Sequence, residues 1–193
     1  MEKRHEYGVW LDIKKVREQP GKKAFNVNVM ASRDWDKHEH SFSSEKISKA
    51  IHDAGGESKI GGTILKITPP DPGRKPAHKF ILESGKGDEN TRVLMITSMP
   101  TMYVKGGKKE HFRGTRLGAK SWVKLLEKAL EEGFDIFHID STTPESRGLF
   151  AKLGYTKPDS VVEYTGASEH NFFLTPEQVK DELIPKLKDF AGS

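Results

Sequence analysis

The residues with the most chemical promise run from Thr91 to Tyr155. At their centre is Arg113-Gly114-Thr115-Arg116-Leu117-Gly118-Ala119, small residues and two guanidinium groups where a long amphipathic pattern begins. The first N–H groups of a helix have no intrahelical acceptor and lie at the positive end of its dipole. Glycines there let an anion reach the backbone. Between Lys105 and Lys120 six basic residues (Lys105, Lys108, Lys109, Arg113, Arg116, Lys120) face a single acid, Glu110. That local excess is larger than the net +4 of the whole chain. A ligand bearing several phosphates matches it, and so does a nucleic-acid backbone.

A second group is suited to proton transfer. His138, Asp140 and Ser141 lie at the end of an apolar run, Phe134 to Asp140, and strand alternation puts His138 and Asp140 on one face. His138 in a buried strand reads first as a structural histidine and second as a general base. Glu110, His111 and Tyr155 are further candidates. Ser141-Thr142-Thr143-Pro144-Glu145 reads as a helix start with Pro at the first position, with Thr143 also available to a cofactor. Asp34, Asp36, His38 and His40 are metal-ligand types, but their crowding in a polar loop reads as a solvated face, so no metal is expected.

These residues need elements to hold them. The apolar residues Ala119, Trp122, Val123, Leu125, Leu126, Ala129 and Leu130 share one arc of a helix, with Lys120, Lys124, Glu127, Lys128, Glu131 and Glu132 opposite. Gly133 closes this helix. Strands at 92–98 and 134–140 flank it and are expected to be parallel, joined by a right-handed crossover. Upstream, strands at 7–13 and 25–31 form a hairpin around Gln19-Pro20-Gly21-Lys22. A helix follows Ser44, a strand spans 61–68, and the four prolines between Pro69 and Pro76 make a loop before a short strand at Lys79–Glu83. Downstream, 160–165 and 170–174 form a second hairpin. Thr175-Pro176-Glu177-Gln178 opens a last helix with a capping box, kinked or shortened by Pro185. The order is β-β-α-β-β-β-α-β-α-β-β-α, an α/β class.

Composition sets outer limits. A chain of 193 residues fits one domain, read as a variable half (1–90), a ligand-binding core (91–155) and a closing hairpin and helix (156–193). The absence of cysteine excludes disulfides and thiolate chemistry and suits a cytoplasmic location. No transmembrane stretch or signal peptide is legible, so no membrane partner is expected. Oligomeric state is not legible at all.

The two motifs in order, Arg113 to Ala119 and then Leu149-Phe150-Ala151-Lys152-Leu153-Gly154-Tyr155, resemble those of the GCN5-related N-acetyltransferase (GNAT) superfamily. The resemblance covers about residues 91–155. It implies a mixed, mostly antiparallel sheet whose two central parallel strands splay apart. It also implies acetyl-CoA, or another acyl-CoA, as co-substrate and direct transfer of the acyl group to an amine. Carried over residue by residue, Arg113, Gly114, Thr115, Arg116, Leu117, Gly118 and Ala119 would hold the pyrophosphate. Thr97, Ser98 and Met99 would pair with the pantetheine amides, as an added strand pairs with a sheet edge. The chain departs from the pattern in two residues. Arg116 stands where the family has its first glycine, so it either contacts a phosphate or blocks its approach. Phe150 stands where many members have the tyrosine that protonates the departing thiolate. The acceptor amine could be small or macromolecular. Two other readings remain open: modification of a nucleic-acid base or an aminoacyl-tRNA through the Lys105–Lys120 basic region, and a non-catalytic scaffold of the same shape.

Overall fold

The computed structural model describes residues 8–32, 59–97, 116–141, 144–164 and 166–192. The loops at 33–42 and 99–112 and the helix expected after Ser44 lie outside them. The elements are β1 (Gly8–Gln19), β2 (Lys22–Ser32), β3 (Lys59–Thr68), α1 (Pro76–Glu83), β4 (Val93–Ile96), α2 (Leu117–Glu132), β5 (Ile136–Ser141), α3 (Pro144–Lys152), β6 (Ser160–Tyr164) and β7 (Ala167–Leu174). A C-terminal helix, α4, spans 176–191.

The described strands form one seven-stranded sheet in the order β1-β2-β3-β4-β5-β7-β6. Every pairing is antiparallel except β4 with β5. The class is therefore α/β with a mixed, mostly antiparallel open sheet. Gly21, with φ 70, makes the tight turn from β1 to β2.

The parallel pair is short. Val93 pairs with Ile136 and Leu94 with Phe137, and pairing stops there although both strands continue. Beyond that point β4 stays with β3, through Met95 with Lys66 and Ile96 with Leu65. Over the same stretch β5 stays with β7 as far as Ser141 with His170. The sheet therefore opens between β4 and β5 toward their C-terminal ends. In open α/β sheets this is where ligands enter.

Alternation along the central strands sorts their side chains between two cores. Leu94, Phe137, Ile139, Phe172 and Leu174 pack with α2, Phe150, Leu153 and α4. Val93, Ile136 and Phe173 pack with Ala77 and Ile81 of α1. The helix α2 buries the arc its sequence specifies. Leu117, outside that arc, is also fully buried, with Leu125 and Leu126; each contributes about 1.5–3 kcal/mol. Gly133, with φ 77, ends α2 and returns its N–H to Ala129 O and Leu130 O. At the closed end of the parallel pair, Asp135 accepts from Arg92 N–H and from its guanidinium, tying the start of β4 to the start of β5.

One expectation is corrected. Lys79–Glu83 is helical. Pro76 sits at the first helical position with its φ preset, and Ala77, His78 and Ile81 form the buried face. The run Phe80-Ile81-Leu82 mimics a strand, but only Ile81 is fully buried, and Leu82 remains 37% exposed. Pro185 changes the type of helix around it. It has no N–H to give Asp181 O, and a π-helical turn at Val179–Leu183 absorbs the mismatch before α-helix resumes at Ile184–Ala191. The capping box that opens this helix is present, with Gln178 N–H donating to Thr175 Oγ and Thr175 N–H to Gln178 Oε1.

Candidate functional site at the opening of the sheet

The helix α2 begins without a side-chain cap. Lys120 N–H returns to Arg116 O, so the preceding amides of Leu117, Gly118 and Ala119 have no intrahelical acceptor. A Cβ placed on Gly118 would meet nothing within 4 Å among the described residues. Room is left at Gly118 itself, whereas Leu117 and Ala119 on either side are buried. Arg116 adopts φ 59 and ψ 19, a left-handed conformation that costs an ordinary L-residue about 1–2 kcal/mol and glycine almost nothing. It is the only non-glycine residue with positive φ among those described. Its guanidinium turns back over the Phe190 ring, 5.7 Å from the centroid. Arg113, Gly114, Thr115, Ser98, Met99 and Thr143 lie outside the described residues, as does the basic region from Lys105 to Thr115.

Thr97 donates its N–H to Ile64 O of β3 at 3.1 Å. By alternation the amide of Ile96 faces the opening instead. Across the gap Ile136 N–H bonds Arg92 O, so the amides of His138 and Asp140 face the same way. The opening is thus flanked by main-chain groups on both sides, in a position to receive an extended, amide-bearing ligand.

His138 and Asp140 do share a face, the one covered by α1. Ser141 is 1% exposed with no partner for its Oγ among the described residues, and alternation turns it to the opposite face. His138 is the first β5 residue beyond the last β4 pair. Its Nε2 lies 2.8 Å from Asn171 Oδ1. Its ring stacks on Phe173 at 5.0 Å and meets His78 of α1 at 5.2 Å and 66°. Lys75 Nζ lies 3.3 Å from Asp140 Oδ2, whereas Asp140 Oδ1 is buried with no partner among the described residues. Burial, foremost, pushes the His138 pKa below the ordinary histidine value, against the favourable Asn171 bond and Asp140 charge. His138 is therefore neutral at pH 7. Burial and then the Asp140 charge raise the Glu169 pKa.

His78, Lys75, Phe173 and Asn171 were not singled out from sequence. His78 was hidden by the strand reading of its neighbours. Asn171 and Phe173 were legible as alternating residues of the last hairpin, but nothing in sequence says which strand they adjoin.

Phe150 is a core residue, 1% exposed, edge-on to Trp122 at 5.6 Å and to Tyr155 at 6.0 Å. Tyr155 is held in its neutral form. Burial, followed by the Glu182 charge, pushes its pKa up to about 12. Among the described residues no cluster of His, Asp and Glu could hold a metal ion, and no helix is long and apolar enough to cross a membrane. A cleft of about 350 Å³, lined by Lys22, Lys23, Arg92 and Glu132 among others, lies at the opposite end of β4. Its Lys23, Arg92 and Glu132 are already engaged in ion pairs.

The fold and this opening define an α/β protein with a mixed sheet parted at the single parallel pair among its described strands. No family model, curated protein or solved structure matches the chain.

His78 yields a pH-dependent expectation that is independent of function. It is fully buried, and its Nδ1 accepts from Asp71 N–H at 3.0 Å. Burial, then His138 and Lys75, lower its pKa from 6.5 to about 4. The unfolded chain therefore takes up this proton first as pH falls. Stability should drop between about pH 6.5 and pH 4, by roughly 2–4 kcal/mol. Urea unfolding across that range should show a weaker pH slope in His78→Asn, which keeps an acceptor for Asp71 N–H. An unchanged slope would reject this assignment.

Proposed function

We propose that this chain is an acyl-CoA-dependent N-acyltransferase of the GNAT type, moving an acetyl or related acyl group directly to an amine. The observation that carries the reading is the parallel β4–β5 pair that parts after Leu94 and Phe137, beside a helix start at which Arg116 makes no side-chain cap bond. The residue types fit the donor. The N–H groups at the start of α2 are of the type that binds pyrophosphate oxygens, and Gly118 leaves room for a ligand beside them, between the buried Leu117 and Ala119. The Ile96 amide on one side and those of His138 and Asp140 on the other are suited to pantetheine amides. The donor's thioester supplies an activated acyl carbon. The chain's part is to position an amine against that carbon and to remove its proton.

His138, neutral and buried at the opening, serves as the proton acceptor, and Asp140 Oδ1 can accept a hydrogen bond from the incoming ammonium group. Ser141 is a third polar group at the end of the same strand. The amine nitrogen bonds the acyl carbon, the carbon–sulfur bond breaks and CoA leaves as the thiolate. With phenylalanine at 150, that sulfur takes its proton from water or leaves unprotonated.

Calorimetric titration with acetyl-CoA tests the reading, and saturable binding is expected. Turnover can be followed with a thiol reagent on a panel of small amines, peptides and aminoacyl-tRNA. The chain has no cysteine, so the reagent reports released CoA alone. Failure to bind at millimolar acetyl-CoA would sink the proposal. Binding without turnover on any acceptor would leave a CoA-binding scaffold.

A further inference from the structure

The acceptor side of the opening contains a hydrogen-bond chain whose direction is fixed by its last member. Asn171 is fully buried, and its Nδ2 donates to the main-chain oxygen of Glu169 at 3.3 Å. A carbonyl oxygen can only accept, so the Asn171 amide must be oriented with Nδ2 toward Glu169 and Oδ1 toward His138. Oδ1 in turn can only accept. The His138 nitrogen 2.8 Å away, Nε2, must therefore carry the hydrogen. In a neutral imidazole this leaves Nδ1 with the lone pair.

The ring has little freedom to turn. One side stacks on Phe173, its paired residue on β7, and His78 meets it from α1. Nε2 is directed to β7. The bond to Asn171 occupies Nε2, which leaves Nδ1 as the ring nitrogen for another partner, on a residue at the point where β5 has lost its β4 neighbour. No hydrogen bond engages Nδ1 among the described residues.

We propose that Asn171 is a positioning residue. It holds His138 as the Nε2–H tautomer, so that Nδ1 accepts the proton of the incoming amine. The base role rests on the acyl-transfer reading, whereas the tautomer does not. The amine gives its proton to Nδ1 as its nitrogen bonds the acyl carbon. The resulting imidazolium donates through both nitrogens, one of them still to Asn171 Oδ1. The charged or titratable groups around His138 are Lys75 and His78 from α1 and the segment before it, Asp140 on its own strand, and Glu169 further along β7. Burial pushes the imidazole pKa below the ordinary histidine value. The acid limb of the pH–rate profile should accordingly lie below the ordinary histidine value.

Imidazole nitrogen NMR of the full chain, with His138→Gln used to assign the signal, reads the tautomer without any ligand. The neutral Nε2–H form is expected, and Nδ1–H would overturn the proposal. Asn171→Leu keeps the bulk and removes the acceptor. It should leave a mixture of tautomers and lower kcat/KM for amine acetylation by about ten- to a hundredfold. A folded Asn171→Leu chain with the tautomer unchanged would overturn the proposal. Asn171→Asp, which favours the imidazolium, should move the acid limb up by about one pH unit or more, and an unmoved limb would count equally against it. If the wild-type chain has the expected tautomer but binds no acetyl-CoA, the acyl-transfer reading falls and the base role with it. The two failures are thus told apart.

Discussion

Replacing Gly118 with Glu is expected to weaken acetyl-CoA binding by roughly a hundredfold while raising the melting temperature. The two effects have opposite signs for separate reasons. A carboxylate about 5 Å from a bound phosphate, at an effective dielectric near 20, costs about 3 kcal/mol, which is about two orders of magnitude in affinity. The fold gains from the same change. Nothing described lies within 4 Å of the position, so no clash is introduced. Gly in the helix is replaced by a better helix former, worth about 0.5–1 kcal/mol. An acid in the first turn also complements the helix dipole. Calorimetry and thermal unfolding of one variant read both quantities. Binding retained at wild-type affinity would move the pyrophosphate away from α2. Binding lost together with stability would mean only that the chain had been damaged.

Phe137→Ala should be the most damaging single truncation near the opening, costing about 3–5 kcal/mol. Phe137 is fully buried, edge-on to Trp122 at 6.0 Å and packed against Phe134 at 6.3 Å. It is also the last β5 residue paired to β4, so the same side chain that joins the sheet to α2 marks where the sheet parts. Against a typical domain stability of about 5–15 kcal/mol, the loss is large. A urea unfolding curve measures it, with Val161→Ala on the exposed face of β6 (57% exposed) as a control expected to change within about 0.5 kcal/mol. A loss below about 1 kcal/mol for Phe137→Ala would mean that the core around α2 is not packed as described.

Much of the fold was legible because its signals are local. The arc on α2 follows from 3.6-residue periodicity, the end at Gly133 from the freedom of glycine to take φ 77, and the start of the last helix from reciprocal bonds three residues apart. The parallel relation of β4 and β5 follows from a strand–helix–strand order. The reading failed where two local signals competed. At Lys79–Glu83 three adjacent apolar residues suggested a strand, while Pro76 and the spacing of Ala77 and Ile81 suggested a helix, and packing on β4 and β5 decided for the helix. At Pro185 the missing N–H was legible, but its accommodation by a π-turn was not, because that depends on how Val179 and Leu183 bury.

The candidate site divides in the same way. The Gly118 region, the helix it opens and the alternation that pairs His138 with Asp140 were determined by the sequence alone, since each depends on residues a few positions apart. The conformation of Arg116 was not. An arginine at a helix start is ordinary in sequence, and only the structure places it at φ 59 with its guanidinium over Phe190, at the far end of the chain. The partners of His138 were decided by tertiary structure too. His78 is 60 residues before it and Asn171 is 33 after, and they meet it only because β7 pairs with β5 and α1 packs across them. Strand pairing and helix docking bring distant residues together, and no local spacing encodes which strand will adjoin which. The burial that keeps His138 neutral, and the Asn171 bond that fixes its hydrogen, arise only once those contacts form.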